Sequence, residues 1–158
     1  MTALVVEQAA APAQWTEVDR LIRAYLAELP FEIDFQDLDR ELAELPREYG
    51  PPAGAALLVR DADGGAAFGV VGVRRFADGE AELKRMYVDP AGRGTGAGRA
   101  LAAAAVEVAR ALGYRRLLLD TVAWMEAAIA TYESLGFEAC EPYRHNPLPE
   151  ARFFALDL

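Results

Sequence analysis

The stretch VDPAGRGTGAGRA, Val88 to Ala100, decides how the rest of the chain is read. It joins a strand-like run ending at Val88 to an alanine-rich segment, Leu101 to Leu112. In that segment Leu101, Ala104, Ala105, Val108 and Leu112 fall on one helical face. Gly92, Gly94, Gly96 and Gly98 alternate with other residues, so the backbone can turn with positive φ and approach a ligand closely. A loop that opens a helix in this way aims several N–H groups at one spot, where the helix dipole adds positive potential. Arg93 supplies a cation in its middle. The stretch reads as an anion site suited to phosphate or pyrophosphate, in preference to a bare turn before a helix.

Toward the N-terminus, Leu4 to Glu7 reads as a first strand. Pro12 opens a helix with Val18, Leu21, Ile22, Tyr25 and Leu29 on one face, closed by Pro30. A second helix is expected after an Asp34 N-cap, with the stripe Phe35, Leu38, Leu42 and Leu45 and a stop at Pro46. Strands follow at Ala55 to Arg60, Ala66 to Phe76 and Glu80 to Val88, joined by the turns DADGG (Asp61 to Gly65) and Ala77 to Gly79. Such short links favour antiparallel neighbours. Alternation along the third of these strands puts Glu82, Lys84 and Met86 on one face, and Leu83, Arg85 and Tyr87 on the other.

Beyond the loop, Gly113 ends the alanine-rich helix and Leu117 to Asp120 is a buried strand. A further helix carries Met125, Ala128, Ile129, Tyr132 and Leu135, and two short strands, Phe137 to Glu141 and Arg152 to Leu158, flank PYRHNPLP. The strand, helix and strand around the loop make one right-handed βαβ crossover. The expected fold is a single α/β domain over residues 1–158. Its central sheet is mixed and mostly antiparallel, flanked by helices, with one parallel crossover.

Composition narrows the chemistry. A formal charge of −9 argues against a nucleic-acid surface and mildly favours a cationic or amine-bearing small substrate. Cys140 is the only cysteine, which excludes an internal disulfide and fits a reducing compartment. With His145 the only histidine, a zinc site is not expected. No apolar run is long enough to span a bilayer, and MTALVVEQAAAPAQW lacks a basic leader, so a cytoplasmic protein with no membrane partner is expected. Nothing in the sequence separates a monomer from a homodimer.

Among phosphate-binding loops, a P-loop needs GK[ST], which does not follow Gly98. A dinucleotide fingerprint is matched in form by Gly92, Gly94 and Ala97, with Asp120 at a strand end. That fold, however, needs several βαβ units and a direct turn from strand to helix. Arg93 to Gly98 fits [QR]-x-x-G-x-[GA], preceded by V-x-P at Val88 to Pro90, and AIATYESLGF (Ala128 to Phe137) fits A-x-x-x-Y-x-x-x-G-F. In these motifs, and in the order of its elements, the chain resembles the GNAT superfamily of N-acetyltransferases. The runs LKRMYV, LDT and EPYRHNP mark a sub-branch without indicating a substrate.

The resemblance implies an enzyme that transfers an acetyl or other acyl group from acetyl-CoA to a primary amine of a small molecule, directly within a ternary complex. It places the coenzyme A pyrophosphate on the loop at Arg93, Gly94, Thr95, Gly96, Ala97, Gly98 and Arg99, and the pantetheine arm along Met86, Tyr87 and Val88. It implies that this strand splays from Leu117 to Asp120, with the thioester in the gap. Tyr132 falls on the motif tyrosine that acts as general acid, although a packed core tyrosine would show the same spacing. Glu82, six residues before Val88, resembles a general base; an exposed strand glutamate paired with Lys84 or Arg74 is the alternative, and water chains serve in many relatives. His145 is a third candidate base, as the one imidazole in the loop that lies near the acceptor site in the superfamily, and Phe35 and Gln36 are weaker candidates over the acceptor pocket. Met125 departs from the asparagine common at that position. A non-catalytic acyl-CoA-binding module and a dinucleotide binder are the alternatives from other classes.

Overall fold

The computed structural model describes residues 3–33 and 37–158, so the expected Asp34 cap, Phe35 and Gln36 lie outside the described residues. Seven strands form one sheet in the order β1-β2-β3-β4-β5-β7-β6. They are β1 (Leu4–Gln8), β2 (Ala55–Asp61), β3 (Gly69–Ala77), β4 (Glu80–Val88), β5 (Arg116–Val122), β6 (Glu138–Ala139) and β7 (Ala151–Asp157). β2 to β4 are an antiparallel meander, as their short links require, and β1, which precedes the N-terminal helices, pairs antiparallel with β2. The alanine-rich helix α4 (Ala97–Ala111) then crosses over to β5, which pairs parallel with β4.

Alternation along the strands sorts the core onto two faces. Leu57, Val59, Val71, Val73 and Leu83 pack with Leu101, Ala105 and Ala109 of α4, and Tyr132 and Phe137 join them. Leu58 and Val70 point the other way, against Val18, Leu21 and Ile22 of α1 (Pro12–Glu28) and Tyr49 of α3 (Leu45–Tyr49). Small residues on α4 let its backbone sit close over the sheet, where Leu101, Ala102, Ala105 and Ala109 are fully buried.

Several boundaries differ from the sequence expectation. Pro46 does not stop a helix. α2 (Leu38–Ala43) ends at Glu44, and Pro46 stands in the first turn of α3, where its missing N–H is harmless. Residues Ala66 to Phe68 are not part of β3. The Ala67 amide donates to Glu17 at 2.8 Å and its carbonyl accepts from Arg20 at 2.7 Å, so α1 side chains replace the ladder there. α4 starts at Ala97, four residues early, because the first helical turn needs no amide partner and tolerates Gly98. The strand expected over Phe137 to Glu141 is only Glu138–Ala139, an edge paired with β7 alone.

The largest difference is in β4. Its register against β3 slips between Tyr87↔Val70 and Lys84↔Gly72, so three residues of β4 advance against two of β3. Arg85, at φ 58, is the extra residue of this bulge. The slip reverses the alternation beyond it: Met86 and Val88 join Leu83 on the α4 face, and Tyr87 joins the α1 face. The sharing of one face by Glu82, Lys84 and Met86 is therefore corrected.

Candidate active site

β4 and β5 run in parallel but pair only at Glu80↔Arg116, Ala81↔Leu117 and Glu82↔Leu118. Both strands continue, to Val88 and Val122, without further pairing. The gap between them is a wedge; one cavity lies in it and a second adjoins it. The inner one, about 80 Å³, is bounded by Leu83 to Met86 of β4, Asp120 to Val122 of β5, Tyr25, Tyr132 and Asn146. The outer one, about 450 Å³, lies between Met86 to Val88, the C-terminal end of α1 and the start of α5 (Glu126–Ser134), and reaches Arg93 and Gly98. Tyr25, Met86, Met125 and Ala128 border both.

At the head of the outer cavity, a 3-10 turn at Pro90–Gly92 is tied by the Asp89 carboxylate, which accepts from the amides of Ala91 and Gly92 at 2.9 and 3.3 Å. Gly94 and Gly96 then adopt φ values of 78° and 88°, which turn the chain into α4 with Gly96 as its N-cap. The first amides of α4 have no carbonyl within the helix and point outward from its N-terminus. A Cβ on Gly98 would lie 3.9 Å from Val88, so its glycine hydrogen leaves room between the helix and β4. Arg93 does not stand free: it donates to the Val88 carbonyl at 3.0 Å and to Glu28 at 2.8 Å, over the ring of Tyr87. Tyr87 also donates to Glu28. Burial and that charged partner push the Tyr87 phenol up to about 12. Thr95 donates to the Gly92 carbonyl and Arg99 to the Ser134 hydroxyl. An apolar trough headed by helix amides suits the thioester arm and pyrophosphate of an acyl-CoA.

Tyr132 is 5% exposed, packs against the Phe137 ring at 5.7 Å, and reaches the inner cavity. Among the described residues no group takes or gives a hydrogen bond to its hydroxyl, unlike the satisfied tyrosine of a closed core. Burial raises its pKa, and the nearby Tyr25 and Asp120 add to that, so the hydroxyl keeps its proton. Tyr25 has the same surroundings from the α1 side, and its phenol too is raised by burial.

The other two expected bases are placed differently. The Glu82 side chain is 1% exposed and does not border either cavity. It accepts from Arg74 at 3.2 Å and Tyr143 at 2.7 Å, with Arg144 at 3.3 Å. His145 is exposed, while its neighbour Asn146 turns inward.

Sequence reasoning missed the charges that line the wedge. Lys84 lies 3.3 Å from Asp120 and 3.9 Å from Glu82, and all three side chains are almost excluded from solvent. Asn146 donates to the second Asp120 oxygen at 3.0 Å. Burial lowers the Lys84 ammonium. Burial works to raise Asp120, but Lys84, Asn146 and Arg144 outweigh it and leave that carboxyl below its usual range. Arg85 grips Glu41 with two bonds of 2.8 and 2.9 Å, and Glu41 also accepts from Tyr49 at 2.9 Å. The signal was present in the sequence: Glu82, Lys84 and Arg85 stand in a central strand covered on both faces, where charges must be paired. Among the described residues no cluster of potential ligands could hold a metal ion, and no helix is long and apolar enough to cross a membrane.

Comparison with known proteins agrees with this geometry. The model of the acetyltransferase (GNAT) family matches residues 18–137. An uncharacterised N-acetyltransferase of Schizosaccharomyces pombe is 38% identical over 148 residues, covering 93% of this chain and 90% of its own. Human N-acetylaspartate synthetase is 34% identical over 131 residues, 82% of this chain but 40% of that longer protein. A Salmonella typhimurium protein solved with its cofactor acetyl-CoA superposes with a TM-score of 0.70 at 19% identity, over 98% of this chain and 94% of that one.

Proposed function

This chain belongs to the acetyltransferase (GNAT) family of acyl-CoA N-acyltransferases, and from that premise we propose that it acetylates the primary amine of a small molecule by direct transfer in a ternary complex. The observation that carries the reading is the Tyr132 hydroxyl, unpartnered among the described residues, on the wall of the inner cavity, whose lining shares Tyr25, Met86, Met125 and Ala128 with the outer one.

In this reading the loop from Arg93 to Arg99 holds the pyrophosphate through the amides at the start of α4, and Met86 to Val88 flank the pantetheine arm. Acetyl-CoA, when bound, supplies the thioester carbonyl that the amine attacks. The chain's own residues do the rest. The bulge at Arg85 leaves Arg85 and Met86 without register partners on β3, and β5 has already diverged. Their amides are our candidates for stabilising the carbonyl oxygen as it gains charge. Tyr132 gives its proton to the departing sulfur and recovers, through water, the second proton that the nitrogen sheds as the amide forms. The acceptor must lose a proton before attack, and with Glu82 enclosed by Arg74, Tyr143 and Arg144, we assign that proton to water at the cavity mouth. His145 remains on the outer side of the same loop.

An acceptor that inserts only a small amine-bearing group is supported by the inner cavity's volume of about 80 Å³. The name of the human relative, N-acetylaspartate synthetase, points the same way. The test is a thiol-release assay with acetyl-CoA across a broad set of amines. Turnover with a small amine is expected; acetyl-CoA binding without turnover of any amine would refute the reading.

A further inference from the structure

The polar lining of the inner cavity does not match the charge of the whole molecule. The chain carries −9, yet the residues that line the cavity include Lys84 and Arg85 against the single carboxylate of Asp120, an excess of one positive charge. The acids that balance them, Glu41 and Glu82, stand behind the lining. Lys84 and Asp120 lie 3.3 Å apart with side chains 4% exposed, at the wall of a cavity rather than within packed core. Asp120 is steadied by Asn146, and Lys84, whose ammonium has three donors, makes one close contact with Asp120 and a longer one to Glu82.

We propose that this pair is the acceptor site for a small amino acid, with Asp120 taking the ammonium and Lys84 the carboxylate. The proposal rests on the acyltransferase reading above and deepens it. A zwitterionic amino acid carries its two charges on adjacent carbon atoms, the complement of a lysine and an aspartate in contact. Inserting it exchanges one buried ion pair for two, so no charge is left unpaired. Arg85 adds positive potential from the β4 side while staying locked to Glu41. An acceptor held on Asp120 has its nitrogen on the wall shared with Tyr132. An amine without a carboxylate would leave Lys84 facing the cavity with no new partner. The proposal narrows the composition-based expectation of a cationic or amine-bearing substrate to a zwitterion, because short-range charges in a low-dielectric wedge outweigh a distant, screened envelope.

The experiment compares each of the common L-amino acids with its amide and with the amine lacking the carboxylate, using the unmodified chain and acetyl-CoA. At least one acid is expected to exceed its amide by about 100-fold in kcat/KM, the usual scale for removing one partner of a buried charge pair. The same acid should raise the melting temperature in the presence of coenzyme A. Lys84→Gln is expected to erase both the preference and the thermal shift while acetyl-CoA affinity stays unchanged. Tyr132→Phe should lose turnover and keep the shift. Amides or plain amines turned over as well as acids would overturn the proposal and leave the acyltransferase standing. No turnover of any amine, with no shift by any acid, would overturn both. If Lys84→Gln does not fold, Lys84→Arg and the acid-to-amide ratio of the unmodified chain decide.

Discussion

Tyr132 shows how one residue can be legible by position and undecided by role. Its place in A-x-x-x-Y-x-x-x-G-F is visible in the sequence, but a core tyrosine would have the same spacing. The distinction lies in the hydroxyl, which faces a cavity and finds no partner among the described residues. Tyr132→Phe removes only that oxygen, so kcat should fall by about 100-fold or more while the acetyl-CoA Kd barely moves, as expected for a lost proton donor. Steady-state thiol release and calorimetric titration measure the two quantities, and an unchanged kcat would take Tyr132 out of the chemistry. Glu82 is the reverse case. Its position in the strand resembles a base, but its oxygens are occupied by Arg74 and Tyr143. Glu82→Gln should lower stability by about 3–5 kcal/mol, because it strands buried cations. The acidic limb of the pH–rate profile should stay in place; a clear shift would restore Glu82 as the base.

At the scale of elements, the glycine loop and the β4 bulge do different work. The loop is built from local rules, and its glycines are not equivalent. A Cβ on Gly92 would fall 2.2 Å from the Phe68 ring, whereas one on Gly96 meets nothing and suffers only from φ 88°. Gly92→Ala should therefore destabilise the fold by about 1–3 kcal/mol through overpacking. Gly96→Ala should cost about 1–2 kcal/mol of backbone strain, and its effect should appear mainly in acetyl-CoA affinity. Denaturant melts and titration of the two variants separate these outcomes. The bulge depends on distant partners. A non-glycine residue at φ 58 persists at Arg85 because its guanidinium is held by Glu41, 44 residues earlier.

Across the whole molecule, the buried charges form a connected system on the α1 face of the sheet. Glu41 is pulled upward by burial, but Arg85, Arg74 and Tyr49 outweigh this and hold it low; Asp120 is held low in the same way by Lys84 and Asn146. A carboxyl whose folded pKa is depressed stabilises the fold above its unfolded pKa, and that contribution disappears as pH falls through the folded value. Stability should thus be insensitive to these groups above about pH 5 and fall steeply below about pH 4, where free carboxyls take up protons. Unfolding curves between pH 7 and acid, with Glu41→Gln showing a shallower acid dependence, check this.

The sequence by itself determined the elements of the proposed donor side: the glycine loop, the strand order around it, the single crossover and the tyrosine helix. Those features rest on spacing, turn residues and capping, which act within a few residues. Tertiary structure alone decided the arrangement on which the proposed acceptor site rests. Whether Lys84 meets Asp120, 36 residues away, and whether Met86 faces the same way as Leu83, depend on where β4 parts from β5 and where the bulge inserts its extra residue. Contacts between segments far apart in the chain set both, and no periodicity along one segment records them.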